Sequence, residues 1–387
     1  MPDVSDASAS PRLAAMQGGA WQVTIGTRLS RAAAGIAVLV VAGLIALPAI
    51  ASRGLIQDLI FVLTMLALAQ LWNALAGWGG LIAVGQQAFV GLGAYVLFAC
   101  TVLAGLDPLL AIPLAGLFAG LIAAAIGPLL FRLEGPYFAI GSWVVAEVCR
   151  LLCAQFKPLG GGTGMSLPNA ATSNMAGLKW VQSLLDIRSA AARDVIVYWL
   201  TLFVAIAVIV TIYLLVRSRL GLALAATRDS IAASRSIGIR AGRIRYGLWV
   251  LCAFATGIVG AIVYLQKARI SPDAAFSVTD WSAYVLFIVV IGGVRTLEGP
   301  IIGVLLLWAL QYYLAQYGSL YLLVLGLIAI VMMLFVPRGL WGTFSERSGI
   351  QLFPVRRLIK RAIEDPPRRS PPCDRRAPAV SRLQTWS

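Results

Sequence analysis

Ten apolar runs, most of them close to the length that crosses a bilayer, leave this chain few ways to fold. They lie at roughly Ala33–Ala51, Leu55–Leu75, Ile82–Ala104, Pro108–Phe131, Tyr137–Phe156, Asp194–Val216, Tyr246–Leu265, Trp281–Val294, Pro300–Gln316 and Ser319–Val336. A membrane-crossing helix needs about 20 residues, and of the ten only Trp281–Val294 is clearly short. The chain of 387 residues is 60% hydrophobic and 12% charged, against about 25% charged in a soluble domain. A soluble fold has no means of hiding so much apolar surface. The expected class is therefore all-α, a polytopic transmembrane bundle of about ten spans (eight to ten).

Charge sets the expected orientation. The segment Arg217–Arg245 carries seven arginines against one acid, Asp229. An arginine at the centre of a spanning helix costs roughly 2.5–3.5 kcal/mol on insertion scales, so this segment lies in water or at a lipid surface. Short loops rich in Arg and Lys stay in the cytoplasm. With a cytoplasmic N-terminus, six spans return the chain inside at Arg217 and ten return it inside at Arg338, so both termini are expected to be cytoplasmic. The longest connection between spans, Lys157–Arg193, then falls outside, where its sparse and mixed charge fits. The net charge of +15 sits mostly in loops and tails beside spans. It points to the anionic lipid of the cytoplasmic leaflet as a partner and not to nucleic acid.

Residues 1–32 read as a disordered basic tail, 33–344 as the membrane domain with its basic loop at 217–245, and 345–387 as a disordered tail rich in Pro and Arg. The triplet Ala49-Ile50-Ala51 imitates a signal-cleavage site, but the region before it is too long, and an uncleaved first span is the better reading. The absence of histidine removes Ser-His and Cys-His catalysis along with the commonest metal ligand. The five cysteines form no CxxC pair, and four of them lie in apolar runs, where they serve as small hydrophobes. No catalytic residue, metal site or cofactor is expected. An intramembrane enzyme is a poor reading, because Ser142 has no histidine partner.

Four stretches carry polar detail. Asn73–Tyr95 (NALAGWGGLIAVGQQAFVGLGAY) is rich in glycine and places Asn73, Gln86 and Gln87 at span ends. Glycines allow close backbone approach and broken helices; for the amides, helix tying and the lining of a polar path both stand. Arg132–Arg150 holds Glu147 about ten residues inside the fifth span, with Arg150 at i+3 on the same face. That carboxylate is either neutralised structurally or lines a pathway. Gly160–Gly164 resembles a phosphate loop only superficially, since no Lys-Ser/Thr follows it. In the basic loop, Ala225, Ala226, Asp229, Ala232, Ala233 and Ser236 recur at helical intervals, predicting a short helix from Leu222 to Ile237 that ends in a kink at Gly238.

Together these stretches resemble the permease subunits of branched-chain amino acid ABC importers, in particular the kind that pairs with a second, different permease. The resemblance rests on Asn73, Gly77, Gly85, Phe89, Gly91, Gly93, Ala94 and Tyr95, and on Arg132 through Ile140 with Ala146-Glu147. It continues through Leu159–Gly162 and Gly164, then Ser218, Gly221, Ala223, Ala226, Arg228, Asp229 and Gly238-Ile239, and finally Gly292, Gly293, Thr296, Gly299, Pro300 and Gly303. The chain departs from the family's usual Ser, His and Glu at Ala83, Gln86 and Ile231.

The resemblance implies a transmembrane subunit forming half of a translocation pathway in a bacterial inner membrane, for branched-chain amino acids or a related small polar solute. Its path residues would include Asn73, Gln86, Gln87, Phe89, Tyr95, Tyr137, Ser142 and Glu147. A coupling loop with Gly221, Ala225, Arg228, Asp229, Ala232 and Gly238 would meet one of two cytoplasmic ATP-binding subunits. A second permease and a periplasmic or extracellular solute-binding protein would complete the assembly. The chain has no Walker A sequence of its own, so ATP hydrolysis would belong to the separate subunits. The rival reading is a stand-alone secondary transporter or channel using Glu147 as a proton or cation relay.

Overall fold

The computed structural model describes residues 21–24, 28–168, 175–318, 320–336, 338–348 and 358–361. Most of the two expected tails, and Cys373 with them, lies outside these residues. The chain divides into two units, Arg28–Val355 and a terminal unit made of Met1–Thr27 and Arg356–Ser387. Within the terminal unit β1 (Trp21–Thr24) pairs antiparallel with β4 (Leu358–Arg361).

The larger unit is helical: α1 (Arg28–Ala46), α2 (Arg53–Asn73), α3 (Gln86–Phe98), α4 (Pro108–Leu130), α5 (Pro136–Gln155), α6 (Leu178–Leu185) and α7 (Ser189–Arg217) come first. Then follow α8 (Arg219–Asp229), α9 (Ile231–Ser236), α10 (Ala241–Lys267), α11 (Pro272–Ala275), α12 (Tyr284–Gly292), α13 (Gly299–Leu314), α14 (Leu320–Phe335) and α15 (Gly339–Ser348). Among the described residues eight helical segments are long and apolar enough to cross a membrane, and two more apolar helices, Gly35–Ala49 and Gly299–Leu314, are shorter. The ten apolar runs are all present as helix, at two lengths.

Several boundaries differ from the sequence reading. The first helix begins at Arg28, and α15 carries helix on to Ser348, so both extend into residues assigned to tails. The third run begins as helix only at Gln86; Ile82–Gly85 is non-helical, with a bend at Val84. The run read as short is longer: α11, a π-helical turn at Thr279–Ala283 and α12 belong to one segment, Pro272–Gly292. The sixth starts at Ser189, which leaves Asp194 inside the helix and not at its threshold.

Helix α10 is the central element, packed against α3 and α4 and also touching α2 and α7. Small residues allow this. A Cβ on Gly93 would lie 2.1 Å from the Gly257 carbonyl, and one on Gly260 would lie 2.3 Å from that of Val90, so α3 and α10 meet backbone to backbone. Helix α4 buries Ala111, Ala115, Ala119 and Ala123 at four-residue intervals and exposes Leu110, Leu114, Leu117 and Leu121 on other faces. The first set faces the bundle; the second suits lipid. Helix α14 is apolar and mostly exposed, as a peripheral span would be.

The two ends of the bundle are built differently. At one end Arg53 Nε donates to Asp194 Oδ2 at 2.6 Å and Gln57 Nε2 donates to the same oxygen at 3.2 Å, tying α2 to α7. The Tyr198 hydroxyl and the Trp199 indole donate to the carbonyls of Leu44 and Ile45, taking up orphan groups at the end of α1. Close to β2 (Met165–Ser166), which pairs with β3 (Arg269–Ile270), the Gly160–Gly164 stretch forms tight left-handed turns. A Cβ on Gly164 would sit 1.9 Å from the Ile270 carbonyl. These glycines therefore serve backbone packing. The other end carries α8, α9, the 293–298 hairpin and α15.

Candidate functional site: a broken-helix junction and the basic end

The chain leaves α2 through a π-helical turn, Ala74–Trp78. Gly80 then adopts φ +65°, and the Leu81 N–H bonds back to the Leu75 carbonyl at 2.9 Å. This is a glycine-terminated helix end, in which the left-handed residue lets a later amide reach an orphan carbonyl. Residues 81–85 then run as non-helical chain before α3 begins.

That non-helical run is held on several sides. The Trp72 indole donates to the Ala83 carbonyl at 2.7 Å. Ser142 Oγ, on α5, accepts from the amides of Val84 and Gly85 at 3.0 and 3.2 Å. Ser282 Oγ, from the π turn of Pro272–Gly292, donates to the Val84 carbonyl at 2.9 Å and also meets Gln87 Oε1. A Cβ on Gly85 would lie 2.0 Å from the Ser142 carbonyl, so only glycine fits there. Ser142 stands six residues beyond Pro136, about 9 Å along α5 at 1.5 Å per residue. Two interrupted helices thus meet inside the bundle with their freed backbone groups satisfied by side chains, which is the condition for irregular backbone at membrane depth.

Of the predicted path residues, Gln86, Gln87 and Ser142 come together here. Ser282 completes the group, and nothing in its sequence neighbourhood marked it. Gln86 Nε2 donates to the Leu68 carbonyl at 3.1 Å, while its Oε1 is buried with no protein partner. It lines a cavity of about 10 Å³ shared with Trp72, Phe89, Trp249 and Thr256, which is space for one water and not for a solute. Phe89 packs edge-on against Trp249 with ring centres 5.3 Å apart. Tyr95 is buried further along α3 against Phe276.

Asn73 serves a different place. Its Nδ2 donates to the Thr296 carbonyl at 2.8 Å and its Oδ1 accepts the Arg295 amide at 2.9 Å, pinning the α12–α13 hairpin to the end of α2. Tyr137 and Glu147 lie apart from the junction, on the exposed face of α5. Tyr137 is 70% exposed. Arg150 grips both Glu147 oxygens with Nε, at 2.9 and 3.1 Å, and reaches Asp273 Oδ1 with Nη1 at 2.7 Å. The i,i+3 pairing read from the sequence is present, and Asp273 is an addition from a distant stretch.

The basic loop forms two helices where one was expected. The break falls at Ser230, whose Oγ caps α9 by accepting the Ala233 amide at 3.2 Å, as serine does at an N-cap. Gly238 has φ +81°, in keeping with the expected turn. Gly221, Leu224 and Thr227 face the bundle and Ala225 is half-buried, whereas Leu222, Asp229, Ala232 and Ile237 are exposed. Arg228 turns inward: Asp229 Oδ1 accepts its Nε at 3.0 Å, and its Nη1 donates to the Gly77 carbonyl at 3.3 Å. Arg245 Nε donates to the Gly79 carbonyl at 2.7 Å.

Among the described residues, eight span-length apolar helices with a buried polar junction between interrupted helices define a multi-pass membrane protein. Among the described residues no cluster of His, Cys, Asp or Glu could hold a metal. The chain belongs to the family described as branched-chain amino acid transport system / permease component, which matches residues 50–336. The resemblance read from its motifs is thereby borne out.

Among curated proteins, the chain is 27% identical over 316 residues to the high-affinity branched-chain amino acid transport system permease protein LivM of Escherichia coli K12, covering 79% of this chain and 73% of that one. The Salmonella typhimurium LivM gives the same identity and coverage. A probable branched-chain amino acid transport permease protein, LivH of Methanocaldococcus jannaschii, is 24% identical over 270 residues, 66% of this chain and 82% of that one. No solved structure gives a significant match.

Proposed function

We propose that this chain is one of two unlike permease subunits in an ATP-driven importer of the bacterial inner membrane, and that it forms half of the path for branched-chain amino acids or a related small polar solute. The observation that carries the reading is the pair α8–α9. It is a basic helical arm outside the spans, with Leu222, Ala232 and Ile237 exposed on it. Such a surface suits docking into a cleft on a nucleotide-binding subunit, with Asp229 and Gly238 at its bends. The arginines there support a cytoplasmic position for this end and, with an even number of spans, for both chain termini. A solute-binding protein then delivers its cargo at the opposite end, beside Gly160–Gly164.

The exposed face of α5 supports a second permease. Glu147, Arg150 and Tyr137 lie on a helix that is apolar enough to span yet leaves most of its surface uncovered. An ion pair facing acyl chains is costly, whereas one facing a water-filled path or a protein neighbour is not. Ser142 ties the buried side of that helix to the junction that holds Gln86 and Gln87, with Phe89 and Tyr95 further along α3 and Asn73 at the end of α2. The bidentate grip of Arg150 on Glu147 favours a fixed pair over a carboxylate that cycles protons, so no observation favours the gradient-driven alternative.

Extraction in mild detergent followed by identification of co-purifying chains tests the assembly. A second permease with one or two nucleotide-binding subunits is the expected result. A chain travelling alone, or only with copies of itself, contradicts the proposal.

A further inference from the structure

The end of α2 is gripped by two arginines: Arg228, from the loop that would meet an ATP-binding subunit, and Arg245, to which the importer reading gives no task. Arg228 comes from α8 and Arg245 from the first turns of α10, 17 positions apart. Their targets lie within four residues: Arg228 Nη1 donates to the Gly77 carbonyl, Arg245 Nε to Gly79 and Arg245 Nη2 to Gly80, at 3.3, 2.7 and 3.3 Å. These carbonyls belong to the C-terminal end of a helix, where orphan acceptors and the negative pole of the macrodipole favour cations.

The fit is close. A Cβ on Gly80 would lie 2.8 Å from Arg245 Nη2 and 3.1 Å from Arg228 Cγ. Arg228 is also aimed, since Asp229 holds its Nε and Nη2 and leaves Nη1 free for Gly77. Among the described residues no carboxylate pairs with Arg245, so its only polar partners are these carbonyls.

On the far side of the clamp lies the non-helical run 81–85, which can span at most about 18 Å at 3.3–3.6 Å per residue. Its end is bound by Ser142 and Ser282. Leu81 is tied back to the Leu75 carbonyl, Ala83 to Trp72, and Val84 and Gly85 to Ser142, so a shift of its first residue is passed to residues already bonded at the junction. We propose that Arg228 and Arg245 are positioning residues that lock the α2 terminus to α8 and α10, so that a displacement of α8 is delivered through residues 81–85 to the Ser142–Ser282–Gln87 junction. Asp229 acts through Arg228. The inference rests on the importer reading, which supplies the force on α8.

The test uses the intact complex in proteoliposomes and compares solute taken up per ATP hydrolysed, in the unaltered protein and in Arg245→Ala and Arg228→Ala. A purely structural role lowers uptake and hydrolysis together and leaves their ratio alone. The clamp predicts that the ratio falls about tenfold, within the range of ordinary coupling free energies, while nucleotide-binding subunits still co-purify with Arg245→Ala. Arg245→Lys and Arg228→Lys keep the charge without the forked grip; they are measured in parallel and are expected to be intermediate, so poor folding of an alanine form does not remove the test. An unchanged ratio in the variants overturns the clamp. Absence of nucleotide-binding subunits from the unaltered preparation is a different failure, that of the importer reading.

Discussion

Ser142 does more than its neighbours in sequence suggest, because one hydroxyl accepts two amides of a broken helix. Ser142→Ala leaves both amides buried without that partner, and a loss of about 1–3 kcal/mol is expected, read as a lower melting temperature in detergent. Gly85→Ala forces a contact of 2.0 Å and is expected to abolish folded protein, whereas Gly54→Ala, with nothing within 4 Å, is neutral. At the opposite end Asp194 is 2% exposed and Arg53 is 53% exposed. Arg53→Ala leaves the buried carboxylate only Gln57 at 3.2 Å and Arg193 at 4.0 Å, whereas Asp194→Asn removes the buried charge, so Arg53→Ala is expected to destabilise more, a ranking that thermal denaturation checks. The amides of Gln86 and Gln87 and the glycines around them were legible as a polar, breakable stretch. Their partner Ser282 was not, since an isolated serine after Asp280-Trp281 carries no local signal and its role arises only from packing across 195 residues.

Helices were readable where a single physical effect governs them. Long apolar runs must close their own hydrogen bonds, so all ten appear as helix. Their starts were less readable, because Ser142 and Ser282 bond the backbone of a non-helical Ile82–Gly85 that hydropathy alone assigns to the span. Likewise the π turn at Thr279–Ala283 joins α11 to α12 and lengthens a span that apolar content had cut short. In the basic loop the alanine spacing gave helix, while the break at Ser230 needed recognition of serine as a cap. Ser230→Ala is expected to cost α9 about 1 kcal/mol. It should lower solute uptake without changing the melting temperature of the spans, as uptake assays and denaturation would show together. Glu147→Gln on the exposed face of α5 should likewise leave stability nearly unchanged, since exposed ion pairs contribute about 0–1 kcal/mol. A marked fall in transport with unchanged melting temperature would place that face on the path.

At the scale of the molecule, the bundle has a locked end and a clamped end. Arg53–Asp194 and the β2–β3 pair secure one; Arg228, Arg245 and the Asn73-pinned hairpin hold the other against the start of the broken segment. A permease driven from its cytoplasmic side needs that asymmetry, with motion admitted at one end and carried inward along a short segment. Family membership fixes the class of transport system, and the arrangement of α8–α9 argues for where the driving force enters. The most direct measurement is uptake of radiolabelled leucine by the purified native complex in proteoliposomes, with a solute-binding protein outside and ATP or no nucleotide at the face bearing α8–α9. Uptake that requires ATP and survives a protonophore is the predicted result. Uptake that proceeds without ATP and collapses with the proton gradient would contradict the account.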